Sequence, residues 1–190
     1  MIPWLSMGRV SAPVNDTAED EEVIVTNVGL LYVGGVLFVN ALSLLGKAEP
    51  RSVGIFNLMV GIMQVIIPFF VIATTDDPLV ILNASGIFLF GFTYLYVGVT
   101  NLGGFDTSGL GWYCLWVAIL APVYSMLNFF LFGDPVFGVL WLMWSFLWGL
   151  FFVLLALKKD KIARFTGWVT MVEAWITCTI PAYLLLTGIL

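Results

Sequence analysis

Apolar residues dominate six stretches of the chain, each about 20 residues long and centred near Leu37, Gly61, Leu89, Ala121, Ser145 and Thr177, with short polar segments between them. A bilayer hydrocarbon core about 30 Å thick takes roughly 20 apolar residues per helical crossing. The pattern therefore predicts six transmembrane helices. A transmembrane barrel would instead alternate apolar and polar residues along strands of about 10 residues. The expected fold class is thus an all-α membrane protein, a six-transmembrane-helix bundle. Pro50, Pro78 and Pro135 each stand where a stretch begins, soon after a polar or charged residue, and proline suits the first helical turn.

Composition agrees with this pattern. The chain has 190 residues, 61% hydrophobic and 10% charged, and its mean hydropathy of +1.06 lies outside the range of water-soluble domains. Six crossings use nearly everything after about Val25, so residues 25–190 form one transmembrane domain with no room for a soluble catalytic domain. Residues 1–24 differ. Five carboxylates fall between positions 16 and 22, and the basic and apolar regions of a signal peptide are missing, so this segment is expected to be a flexible acidic tail.

The net charge of −5 and the small number of basic residues give no reason to expect a nucleic-acid partner. The basic residues do set an orientation. Six of the seven Lys and Arg lie in two loops, Lys47 and Arg51 in one, Lys158, Lys159, Lys161 and Arg164 in the other. An even number of crossings separates those loops, so they share a face, which the positive-inside rule makes cytoplasmic. Both termini and the loops around Asp76, Asp77 and Asp134 are then outside.

Of the twelve Asp and Glu, Glu173 is the one within an apolar stretch. A carboxyl at bilayer depth must face the bundle interior or a wet cavity. Thr170 and Thr177 flank it at helical spacing. A Glu that only bonds neighbouring helices is the structural alternative. In the fifth stretch, Phe137, Trp141, Trp144 and Trp148 fall within about 60° of one another at 100° per residue, and the three Trp span about 10 Å of hydrocarbon depth. Interfacial belts do not explain that spacing, whereas ordinary ring packing could. Phe90 and Tyr94 share a face of the third stretch, and Asn57, Gly61 and Gln64 share one in the second. With Asn40, these amides read as interhelical bonds, and Gly61 as a site of close approach.

Flat rings, a few indole N–H and phenolic O–H groups and one carboxyl suit a small planar amide, whose carbonyl would accept from Trp or Tyr and whose N–H groups would meet π faces or Glu173. An ion would find no ring of charges or carbonyls to replace its hydration shell. There is no His, no intramembrane Asp pair and no zinc motif, and Cys114 and Cys178 lack metal-ligand spacing, so neither an enzyme, a metal site nor a cofactor is expected. The competing reading is a proton-coupled exporter of small organic solutes using Glu173.

The segments "GLLYVGGVLFVNAL", "LFGFTYLY" followed by "WYCLWVAI", "WLMWSFLW" and "FTGWVTMVEAWITCTIPAYLL" resemble, in order, the AmiS/UreI family of urea and short-chain amide channels. The resemblance runs from about Val25 to the C-terminus. It implies a passive channel for urea and small aliphatic amides in the bacterial cytoplasmic membrane, with a pore through each six-helix protomer and a hexameric ring. It places the pore constriction at Phe90, Tyr94, Trp141, Trp144, Trp148 and Glu173, and adds Leu30, Val33 and Leu37 from the first stretch. Two features depart from the pattern. Acid-gated members carry a long His-bearing outer loop, whereas "TTDDPLV" is short and the chain has no His; the acidic tail is also additional.

Overall fold

The computed structural model describes residues 16–189, with side chains from Ile24. Its helices are α1 (Asp16–Leu44), α2 (Pro50–Thr74), α3 (Pro78–Ser85), α4 (Ile87–Gly103), α5 (Ser108–Leu127), α6 (Pro135–Leu155), α7 (Ala163–Glu173) and α8 (Ile180–Leu186). Two π-helical stretches, Asn128–Phe132 after α5 and Ala174–Thr179 between α7 and α8, continue helices rather than end them. Six spans result: Ile24–Leu44, Pro50–Thr74, Pro78–Gly103, Ser108–Phe132, Pro135–Leu155 and Asp160–Leu186, each long and apolar enough to cross a bilayer. The first 15 residues of the expected acidic tail lie outside the described residues. From Asp16 the backbone is helical, so the boundary drawn at residue 25 falls inside α1. Negative charge is favoured near a helix N-terminus, which reconciles the acidic run with helix.

Helix starts follow the sequence pattern closely. Pro50, Pro78 and Pro135 each occupy the first helical position, and the preceding acid caps the helix. Glu49 accepts from the amides of Arg51 and Ser52 at 3.1 and 2.8 Å, Asp77 from Leu79 at 2.8 Å, and Asp134 from Phe137 at 2.9 Å. These carboxylates satisfy N–H groups that the first turn leaves without partners. Gly104 and Gly133 end the third and fourth spans in the left-handed conformation, at φ 64° and 69°, where a side chain would be strained.

The spans pack chiefly in pairs, the second on the third, the fourth on the fifth and the first on the sixth. Lipid tails are as apolar as Leu, so close contact and polar bonds must hold such pairs together. A Cβ on Gly61 would lie 2.7 Å from the Leu95 amide nitrogen, so only glycine lets α2 approach α4 this closely. Asn40 and Asn57 exchange amide hydrogen bonds at 3.0 and 2.7 Å, and Gln64 donates to the Gly29 carbonyl at 2.7 Å. Ser125 and Ser145 tie the fourth span to the fifth through the Gly138 and Ala118 carbonyls, each at 2.7 Å. Large apolar side chains such as Ile66, Phe69, Ile119 and Phe130 point outward, as lipid-facing positions do.

Candidate functional site

Two cavities enter the bundle from opposite ends. One, of about 370 Å³, reaches the helix ends near Lys47 and Lys158, with Asn40, Ser43, Asn101 and Thr107 among its lining residues. The other, of about 320 Å³, reaches the ends near Asp134, with Thr26, Asn27, Asn83 and Asn128 on its wall. Each is therefore partly polar at its mouth. Among the described residues, Phe90 and Trp144 alone line both.

Between the cavities lies a cluster of rings. Phe90 on α4 sits against three Trp of α6, with centroids 5.7 Å from Trp141, 4.9 Å from Trp144 and 4.7 Å from Trp148. Trp141 meets Trp144 at 84° and stacks on Tyr124 of α5 at 4.7 Å. The stack needs Gly86, between α3 and α4, because a Cβ there would lie 2.9 Å from the Tyr124 ring and 3.0 Å from Trp141. Phe90, Tyr94, Trp141, Trp144 and Trp148 are all buried.

The indole hydrogen bonds correct one expectation. Trp144 donates its N–H to Thr177 Oγ1 at 2.9 Å, and Trp148 donates to Thr93 Oγ1 at 3.2 Å. Those two donors are already used and do not wait for a solute carbonyl. Sequence periodicity could place the Trp on one face but not the threonines of two other spans opposite them.

Of the expected constriction residues, Leu37, Tyr94 and Trp148 line the Lys158-side cavity, Leu30, Val33 and Trp141 line the Asp134-side cavity, and Phe90 and Trp144 line both. Glu173 lines neither. It is buried at the last residue of α7, where the helix widens into the π-helical stretch, and it borders an apolar groove of about 550 Å³ between α6 and α7. Its Oε2 is buried without a hydrogen-bond partner among the described residues. Its backbone carbonyl accepts from Thr177 Oγ1 at 2.7 Å, so Glu173 connects to the Trp144 ring through the main chain.

Thr93 and Thr107 were also missed as wall residues. Thr93 carried a readable signal, being one turn beyond Phe90. Thr107 lies in a loop, where spacing carries no facing information. At that mouth Lys158, which adopts a left-handed backbone with φ 53°, donates to Asp106 at 2.8 Å and to Thr107 at 2.9 Å. The bond clasps the loop after α4 to the loop after α6. The Lys158 ammonium and the hydroxyl and amide of Ser108 hold the Asp106 carboxyl well below the ordinary carboxylate range. No cluster of three metal-ligating side chains occurs among the described residues, and Cys114 and Cys178 are buried free thiols.

The profile of AmiS/UreI family transporters matches residues 25–189. The chain is 53% identical over 163 residues to a Rhodococcus erythropolis protein assigned as the transporter AmiS2, covering 85% of this chain and 79% of that protein. It is 32% identical over 186 residues to the acid-activated urea channel of Helicobacter pylori, covering 82% and 94%. The fold is similar to the cryo-EM structure of the H. pylori urea channel in its closed state, with a TM-score of 0.78, 30% identity, and coverage of 87% of this chain and 99% of that one.

Proposed function

Because this chain belongs to the AmiS/UreI family of transporters, we propose that it is a passive channel for urea and small aliphatic amides, with the slot at the ring cluster between the two cavities. The observation that carries this reading is the pair of polar-mouthed cavities that meet at one wall, Phe90 and Trp144. A flat neutral solute passes when those rings part, sliding its N–H groups over π faces. An ion leaves most of its hydration energy behind at the same point and is excluded. Similarity to the transporter AmiS2 and to a urea channel supports the solute class.

The constriction consists of Phe90, Tyr94, Trp141, Trp144 and Trp148, with Leu30, Val33 and Leu37 on the first span. Glu173 is included as a nearby buried acceptor, one turn before the Thr177 that is bonded to Trp144, although its side chain lines neither cavity. The Lys158 face is cytoplasmic by its basic loops, and both termini are outside. The protomer sits in the bacterial cytoplasmic membrane as one of six in the ring that the family resemblance implies. The unpartnered Glu173 oxygen favours one competing reading, a proton-coupled exporter.

The test is uptake of urea, acetamide and propionamide by proteoliposomes under a solute gradient, with internal pH followed in parallel. Saturation-free urea flux with no accompanying proton movement is expected. Solute-driven proton movement would replace the channel with the exporter.

A further inference from the structure

We infer that Thr177 and Thr93 are positioning residues that set the solute selectivity of the slot by fixing the rings of Trp144 and Trp148. The inference rests on the channel reading above and adds residues that do not themselves have to touch the solute.

The two bonds have the same construction. Thr177 Oγ1 gives its own proton to the Glu173 carbonyl four residues back, at 2.7 Å, and so faces the Trp144 indole as an acceptor at 2.9 Å. Thr93 Oγ1 gives its proton to the Leu89 carbonyl four residues back, at 2.6 Å, and accepts from the Trp148 indole at 3.2 Å. Tyr113 also donates to the Leu89 carbonyl, at 3.1 Å, and the Cys178 thiol lies 3.3 Å from Thr177 Oγ1. A hydroxyl whose proton is committed to a helix carbonyl cannot turn to donate elsewhere. Each threonine is therefore an acceptor of fixed direction. All four side chains are buried, which strengthens each bond.

The anchors sit on two different spans. Trp144 and Trp148 are one turn apart on α6, yet one is tied to the sixth span and the other to the third. Both rings are thereby held edge-on to their anchors, and both N–H groups are withdrawn from the slot. What remains for a solute is π face and C–H edge. Selection at this point acts on thickness and width, and it depends on how far each ring can swing. With its anchor removed a ring gains that freedom and exposes a bare N–H, so the slot widens and bulkier amides enter.

The experiment compares proteoliposome permeabilities for urea and isobutyramide in Thr177→Val, Thr177→Ser, Thr93→Val and Thr93→Ser. Valine keeps the shape and removes the acceptor, and serine keeps the acceptor. Each valine variant is expected to raise the isobutyramide-to-urea ratio by about two- to tenfold, the range of one net hydrogen bond, and each serine variant to stay near wild type. A second arm repeats Thr177→Val in a Trp144→Phe background, where the indole N–H is already gone. The valine substitution is expected to add no further change there. An unchanged ratio in both valine variants while wild type conducts urea overturns the inference and leaves the channel standing, as does an equal effect of Thr177→Val with and without the indole. Absence of urea flux in wild type overturns the channel reading and this inference with it.

Discussion

Phe90 meets Trp144 edge to face, with ring centroids 4.9 Å apart and planes at 86°, and among the described residues these two alone border both cavities. The contact joins the third span to the fifth. Removing either ring removes the wall itself. Phe90→Ala and Trp144→Ala are each expected to raise the permeability of propionamide or isobutyramide relative to urea by on the order of tenfold, the scale that about one methylene of apolar fit carries. Detergent-solubilised variants are expected to keep the wild-type oligomer on size-exclusion chromatography. Wild-type selectivity in both, with assembly intact, would show that the rings are packing only.

Glu173 separates two mechanisms. Its buried Oε2 has no hydrogen-bond partner among the described residues, and an amide in its place still offers an acceptor. Glu173→Gln is expected to keep a substantial part of the urea flux, while Glu173→Leu loses most of it. A proton-coupled exporter requires equal loss in both, because Gln cannot take up a proton. The deciding measurement is urea and proton flux in the same vesicles.

A control exists within one dipeptide for the packing of the first span on the sixth. A Cβ on Gly34 would clash with Thr179 Oγ1 and lie 3.0 Å from the Ala174 carbonyl oxygen, whereas a Cβ on Gly35 meets only the Phe56 ring at 3.6 Å, an ordinary contact. Gly34→Ala is expected to destabilise by about 1 to 3 kcal/mol, as overpacking does. Gly35→Ala is expected to be neutral or slightly stabilising. Thermal unfolding in detergent distinguishes them, and equal midpoints for the two variants would refute the close contact.

The Asp106–Lys158 clasp gives a pH dependence of definite sign. Asp106 has its pKa lowered on folding by Lys158 and Ser108. Its stabilisation is therefore present above the ordinary carboxylate value of about 4 and fades as pH falls toward the lowered folded value. Both side chains are at least half exposed, so water and salt screen the pair and the effect is small. Asp106→Asn is expected to lower the melting temperature slightly at pH 7 in low salt, with the two curves converging in strong acid. A gap that persists unchanged below pH 2 would contradict this origin.

Much of the architecture was legible because membrane spans obey length and composition. Pro50, Pro78 and Pro135 marked helix starts since proline there removes only an N–H that has no helical partner, and the acids before them accept from one or two of the others. The aromatic stripe on α6 was legible because an uninterrupted α-helix keeps its 100° period. Glu173 was legible as a buried carboxyl, whereas its place beside the groove between α6 and α7 depends on how those helices pack, and the helix leaves its 100° period just beyond it, at Ala174. The π-helical widening fits against Gly34 of α1, a tertiary contact that no periodicity in the sixth span encodes. The threonine anchors escaped for a related reason. They join Trp144 to a residue 33 positions away and Trp148 to one 55 positions away, and only the folded bundle makes those pairs neighbours.

The cavities of about 370 and 320 Å³ open toward opposite ends of the bundle and share the wall made by Phe90 and Trp144. A permeant therefore keeps its water shell almost to the centre and sheds it across one thickness of ring, regaining it at once on the far side. The dehydration penalty is then concentrated at that ring wall, and a passive wall adds no driving force in either direction. Such a profile does not rectify. Net flow then follows whichever side consumes the solute, so a cytoplasmic reaction that removes it would pull material inward without any energy input at the channel.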